Sequence, residues 1–243
     1  MNPKSVVAAS VRKVLGSLSR VVTDEPVVSL TFDDGPDPES TPRVLALLEK
    51  YQVRGTFFLV GQAAAACPDL VKQIVDGGHA IGNHSWDHRA FPGLSSRERR
   101  RQLRACERAV HPYGSRLMRP PYGEQTVMSR LEAFAMGYEV VGWSLNSGDW
   151  HERSSEVISK YLLEMLEPGA IVLLHDTLFD NGVPAHGKDP EHQSWTDRGA
   201  MLDALETVLD RLRGRYRFVT VPELLRVGRP RRTFWFKRSL AAH

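Results

Sequence analysis

Apolar and polar positions along this chain alternate in a strand–helix rhythm. Val27 to Phe32 is a short β-rich run that ends in the turn Asp33-Asp34-Gly35-Pro36. Thr41 to Glu49 carries Val44, Leu45, Leu47 and Leu48 at helical spacing, with Thr41 placed to cap the helix and Pro42 suited to its first position. Thr56 to Val60 predicts a strand, and Pro68 to Val75 a helix stopped at Gly77-Gly78. His79 to Gly82 is a short strand, and Ser96 to Val110 a helix with Leu103, Cys106 and Val110 inward and its arginines outward. The second half continues with a helix over Gln125–Met136 ended by Gly137, a strand over Tyr138–Trp143, and a helix over Ser154–Leu166 stopped by Pro168-Gly169. Ala170 to Leu174 is wholly apolar, as a strand covered on both faces should be, and Asp197–Leu212 and Tyr216–Val219 read as the last helix and strand. Such alternation predicts a parallel α/β architecture, a barrel or an open sheet. Phe179 to Thr196 has little periodicity and reads as a long loop, a class often tied to function.

Composition adds few constraints. The 42% hydrophobic and 25% charged residues are those of an ordinary globular chain, and 243 residues bury a core without covalent staples. Cys67 and Cys106 are far apart, form no CxxC pair, and are expected to be reduced. The apolar run Val6–Ala9 is soon interrupted by Arg12 and Lys13, too short for a signal peptide, and no stretch approaches the ~20 apolar residues of a membrane span. The expected location is the cytoplasm.

Charge is unevenly placed. Net charge is +3, but Arg226, Arg229, Arg231, Arg232, Lys237 and Arg238 belong to the C-terminal stretch, and without them 26 basic residues face 29 acidic ones, a balance of −3. With Phe234, Trp235 and Phe236 among them, this tail can either pack back onto the domain or make a peripheral contact with an anionic membrane surface. No stacking or groove-reading motif accompanies it, which argues against nucleic-acid binding.

The polar residues at strand ends carry the chemistry, because reactive groups of parallel α/β folds collect there. Asp33 and Asp34 follow one strand, His84 and His88 another, Arg119 follows Leu117-Met118, Asp149 lies past Trp143-Ser144-Leu145, and His175 and Asp176 follow Ile171–Leu174. His84 and His88 are four apart, so on a helical turn both imidazoles would face one metal, and an added carboxylate would complete a three-ligand site with open positions. Asp33-Asp34 is equally a turn signal, and His175 equally a satisfied core histidine. In the functional reading one aspartate binds metal while the other takes a proton from water, held ionised by a bidentate Arg119, and His175 protonates a leaving amine. His79, His111, His151, His186 and His192 belong to no such pattern.

Thr31-Phe32-Asp33-Asp34-Gly35-Pro36, His84-Ser85-Trp86-Asp87-His88, Arg119-Pro120-Pro121-Tyr122, Asp149-Trp150 and Leu173-Leu174-His175-Asp176 together resemble the five ordered motifs of the polysaccharide deacetylases, the NodB-homology domain of carbohydrate esterase family four. The likeness runs from about Val27 to Val221. It implies a distorted (β/α) barrel with fewer than eight strands, and a hydrolase that removes N-acetyl groups from an amino sugar or oligosaccharide. It further implies that Asp34, His84 and His88 bind one divalent metal, zinc by preference, with cobalt or another ion as a substitute. Asp33 would be the general base, Arg119 its tether, His175 the general acid and Asp149 the group that sets its charge. The Tyr122 amide would help hold the oxyanion, and Trp150 and Leu173 would line the pocket for the acyl methyl. On this basis residues 25–222 form the catalytic domain, 1–24 an N-terminal extension and 223–243 a basic aromatic tail.

The pattern departs from the family at Asn146, where members often carry an acid. The short single-domain layout is closest to that of the chitooligosaccharide deacetylases. Alternatives on the same residues are a deacylase of a lipid-linked sugar or small-molecule amide or ester, a two-histidine, one-carboxylate iron oxygenase, and an inactive carbohydrate-binding module. Asp33, Arg119 and His175 argue against the oxygenase, which needs no hydrolytic acid–base pair.

Overall fold

The computed structural model describes residues 11–151, 154–179 and 197–234. Its elements are β1 (Ser17–Val22), β2 (Val27–Asp33), α1 (Thr41–Lys50), β3 (Gly55–Leu59), α2 (Gly61–Ala66), α3 (Pro68–Asp76), β4 (Ala80–Asn83), α4 (Ser96–Val110) and β5 (Gly114–Met118). They continue with α5 (Val127–Ala135), β6 (Glu139–Val140), β7 (Leu145–Asn146), α6 (Ser155–Met165), β8 (Ile171–His175), α7 (Gly199–Leu212), β9 (Arg217–Phe218), α8 (Val221–Leu224) and β10 (Arg229–Thr233). Seven parallel strands run in the order β6-β5-β4-β3-β2-β8-β7, and β9 pairs with the start of β2. The alternation left a barrel and an open sheet both open, and the structure is the incomplete barrel that the family resemblance implied.

The period-two geometry of strands sorts β2 into two faces. Val28, Leu30 and Phe32 point outward into the layer between sheet and helices, where they join Val44, Leu48, Phe57, Leu174 and Leu205. Val27 joins Leu18, Phe58, Leu117, Val141 and Ile171 in a second cluster that fills the barrel. Going up the inward face of β2 from Val27, the residues become polar: Ser29, Thr31, then Asp33, all buried. Asp33 lies level with His175, its partner on β8. Polar side chains therefore gather at the carboxyl end of the strands, above an apolar plug.

The barrel's open side is closed by two segments that the sequence placed outside the domain. β1 pairs antiparallel with β10, and its Leu18 bridges to Val141 while Arg20 bridges to Ala170. Leu18 and Val21 are fully buried. Arg232 of β10 is held by Glu139 through bonds of 3.0 and 2.7 Å. The tail therefore packs back onto the domain as far as Phe234, and Trp235, Phe236, Lys237 and Arg238 lie outside the described residues.

Several local readings need correction. Thr41 does not cap α1. Ser40 holds the cap position and makes no capping bond, Pro42 comes second in the helix, and the Thr41 hydroxyl donates to Asp176. The strand over Tyr138–Trp143 stops after Val140, and the chain re-enters the sheet at β7. Both cysteines are free, and burial pushes the Cys106 thiol up to about 12. No helix among the described residues is long and apolar enough to cross a membrane.

Candidate metal centre and catalytic site

Asp34, His84 and His88 come together as buried side chains whose ligand atoms all lie within 4.8 Å of one another. They do not share a helical turn. His84 follows β4 and His88 closes an irregular loop in which Ser85 (φ 69°) and His88 (φ 57°) adopt left-handed backbone. The loop is shaped by side chains on both flanks. Asn83 Oδ1 accepts from the Ser85 amide at 2.9 Å, Ser85 Oγ accepts from the His88 amide at 3.1 Å, and Gln102 Oε1 of α4 accepts from the amides of Trp86 and Asp87. Asp34 (φ 81°) and Tyr122 (φ 59°) are left-handed too, so four of the five non-glycine residues with positive φ among the described residues belong to this site. Each costs on the order of 1–3 kcal/mol, a cost that persists where the surroundings over-determine the geometry and that clusters at functional sites.

The donor set fits a divalent cation. Asp34 Oδ1 stands 3.3 Å from His84 Nε2 and 3.1 Å from His88 Nε2. Two donors each about 2.0–2.1 Å from a tetrahedral zinc are separated by about 3.3 Å. Asp34 Oδ1 is also buried without a hydrogen-bond partner, an arrangement that is costly unless a cation completes it. The Asp34 Oδ2 atom accepts from the Phe179 amide at 3.1 Å, which fixes the carboxylate. His84 Nδ1 lies 2.7 Å from the Arg119 carbonyl, so it donates there and leaves Nε2 with its lone pair.

Arg119 lies inside the barrel with no solvent exposure. Its Nη1 donates to Asp33 Oδ1 at 2.6 Å and to the Thr31 hydroxyl at 2.9 Å. The expected bidentate pair is absent: Nε and Nη2 instead donate to the carbonyls of Val141 and Gly142 at 3.2 and 2.9 Å. The guanidinium is held from three directions and packs over the Phe58 ring at 4.3 Å, so its single contact with Asp33 is rigid.

Asp149 and His175 form a second pair. Asp149 Oδ1 is 3.0 Å from His175 Nδ1, and Oδ2 accepts from the His175 amide at 2.9 Å. Burial disfavours charge on His175, but Asp149, with Asp34 and Asp33 further off, raises its pKa to about 9. Burial would raise the Asp149 pKa, and His175 and Arg198 outweigh it and hold the carboxyl low. With Nδ1 engaged, Nε2 is the nitrogen left for chemistry.

The remaining expected residues take different positions. The Tyr122 ring lies 4.5 Å from that of His88 and is 43% exposed, so it borders the cation site from the solvent side. Leu173 is buried on the inward face of β8. Trp150 is 44% exposed and stands edge-on to His151 at 4.4 Å, forming a rim rather than a wall. Two residues were given no role by the sequence reading, and one of them, Arg198, was not singled out at all. Asp176, buried beneath the Asp33–Pro36 turn, accepts from the Gly35 amide at 3.1 Å and from Thr41. A Cβ on Gly35 would meet its carboxylate at 2.0 Å, so only glycine fits there. Arg198 is the other. Of the long loop expected over Phe179–Thr196, residues 180–196 lie outside the described residues.

A barrel with polar groups at its strand ends, a two-histidine, one-carboxylate cluster and two flanking acid–base pairs defines a metal-assisted hydrolase. The sequence profile of the polysaccharide deacetylases matches residues 20–141. A peptidoglycan-N-acetylglucosamine deacetylase of Bacillus cereus is 33% identical over 209 residues, covering 84% of this chain and 70% of its own. A chitooligosaccharide deacetylase of Azorhizobium caulinodans is 32% identical over 209 residues, covering 83% and 95%. The crystal structure of the Bc1960 peptidoglycan N-acetylglucosamine deacetylase, in complex with a naphthalenyl N-hydroxybenzamide, superposes with a TM-score of 0.77 at 29% identity, covering 95% of this chain and all of that one. The chain belongs to the polysaccharide deacetylase family.

Proposed function

We propose that this protein removes the acetyl group from N-acetylglucosamine units of a glycan chain, the sugar named for the peptidoglycan-acting relatives of Bacillus cereus and Listeria monocytogenes, with zinc held by Asp34, His84 and His88. The observation that carries this reading is the buried Asp34 Oδ1, without a hydrogen bond and set between two imidazole nitrogens. When bound, the cation supplies Lewis acidity to the acyl carbonyl and lowers the pKa of water. Asp33, kept in place by Arg119, takes the proton from the attacking water. The Tyr122 amide donates to the oxygen on which charge develops. His175 gives its proton to the departing nitrogen, and Asp149 stabilises the imidazolium that does so. Leu173 and Trp150 bound the space for the acyl methyl. The exposed Arg229 and Arg231 of β10 would carry any peripheral contact with an anionic membrane surface.

The test is acetate release from a panel of chitooligosaccharides, peptidoglycan fragments and O-acetylated xylan, with and without a chelator. The proposal expects release from the N-acetylglucosamine substrates and its loss on chelation. Release confined to O-acetyl xylan would reassign the substrate, and release indifferent to chelator would refute the metal.

A further inference from the structure

Arg198 is the last residue before α7, at its cap position, and it is 3% exposed. Arginine is a poor choice there. Cap positions favour short oxygen-bearing side chains, and a positive charge opposes the helix dipole. Asp197 meets the local need instead, accepting from the Gly199 amide at 2.8 Å. The guanidinium turns away from its helix into the site. Nη2 donates to Asp149 Oδ2, Nη1 to the Asp149 carbonyl at 3.1 Å, and Nε to the His175 carbonyl at 3.3 Å. One side chain thus joins the loop after β7, the end of β8 and the start of α7. A residue that fits its own helix badly and its neighbours well is placed by what it does for them.

Asp149 needs such a partner. Its Oδ1 is shared between Ser147 Oγ at 2.7 Å and His175 Nδ1, and a carboxylate free to rotate would exchange these bonds. Arg198 on Oδ2 fixes the rotation and leaves Oδ1 aimed at the imidazole. It mirrors Arg119, which fixes Asp33 on the other flank.

We infer that Arg198 is a positioning residue for proton donation: it locks Asp149, which locks the His175 ring toward the leaving nitrogen. This rests on the reading of His175 as the acid. Arg198 would then matter only where the leaving group needs a proton. Hydrolysis of the sugar amide breaks the C–N bond, adds the water oxygen to the acyl carbon and delivers the His175 proton to nitrogen. Hydrolysis of 4-nitrophenyl acetate expels a phenolate that leaves unprotonated.

Arg198→Ala, Arg198→Lys and His175→Ala are assayed on both substrates in the zinc-loaded enzyme. The inference expects Arg198→Ala to lower kcat for the amide by about 100-fold, with KM little changed, while the ester rate stays within about threefold. Arg198→Lys, which keeps the charge but cannot reach three acceptors, should fall between on the amide alone. Guanidinium added to Arg198→Ala should restore part of the amide rate. Equal loss on both substrates, or an unchanged amide rate, overturns the inference. If Arg198→Ala does not fold, Arg198→Lys decides by the same comparison. A fast amide rate in His175→Ala overturns the acid assignment itself, a separate failure.

Discussion

Asp33 and Asp34 are adjacent, yet alternation in β2 and the left-handed turn that follows send them to different tasks. Asp33 ends the inward face of the strand against Arg119, and Asp34 swings to the histidines. Asp33→Asn keeps the shape and removes the proposed base, so turnover should drop by about two to four orders of magnitude while zinc affinity, read by calorimetry, is retained. Near-normal turnover would remove Asp33 from the mechanism. His79, away from the site, predicts a pH effect. Its Nδ1 accepts from the Gly55 amide at 3.1 Å, and burial followed by Arg54 lowers its pKa to about 4. The unfolded chain binds the proton near pH 6.5 and the folded one does not. The stabilisation is therefore complete above about pH 6.5 and is lost as pH falls towards 4, by at most about 3 kcal/mol. Urea unfolding at pH 7 and pH 4.5 should show a smaller acid loss in His79→Asn than in the parent; equal losses would contradict it. Asp33, Asp34, His84, His88, Arg119, Asp149 and His175 were legible because each lies at or shortly past the end of a hydrophobic run. Arg198 was not, and Asp176 was legible only as a strand-end residue, since the partners of both are set by tertiary contacts that no local spacing records.

The interior strands could be read because their apolar runs are bounded by glycine, proline and polar turns. β1 and β10 could not. Ser17–Val22 is short and mixed, and Arg229-Pro230-Arg231-Arg232-Thr233 reads as a charged tail because edge strands tolerate proline and charge. The His84–His88 loop misled for another reason. Four-residue spacing suits a helix, but the bonds from Asn83, Ser85 and Gln102 impose a different path. The ribbon of β1 and β10 is integral to the fold, and Leu18→Ala should cost about 2–5 kcal/mol. Gly169 tests the same seam. It has φ +76°, and a Cβ there would meet the Val21 carbonyl oxygen at 1.7 Å, against backbone that cannot yield. Gly169→Ala should therefore lower the melting temperature by at least several degrees. Wild-type melting in both variants would show that the ribbon is dispensable.

Seen as one body, the molecule is a partly open barrel whose lower half is apolar and whose upper rim is charged. The ribbon closes the lower side, and the carboxyl ends of β2, β4, β5, β7 and β8 deliver the candidate cation site and the two flanking pairs to the top. The low interior dielectric that makes Arg119 costly to bury also strengthens its hold on Asp33. The alternation of strands and helices made the parallel architecture legible. It did not show that the extremities complete the barrel, because closure depends on which strands meet at the gap. In the proposed mechanism all the chemistry depends on one cation bound at Asp34, His84 and His88. The most direct measurement is to strip the protein of metal and titrate zinc back while following acetate release from an N-acetylglucosamine oligomer. The account predicts no release without metal, a rise that levels at about one equivalent, and no rise in Asp34→Ala. Full release from the stripped protein, or normal titration of Asp34→Ala, would contradict it.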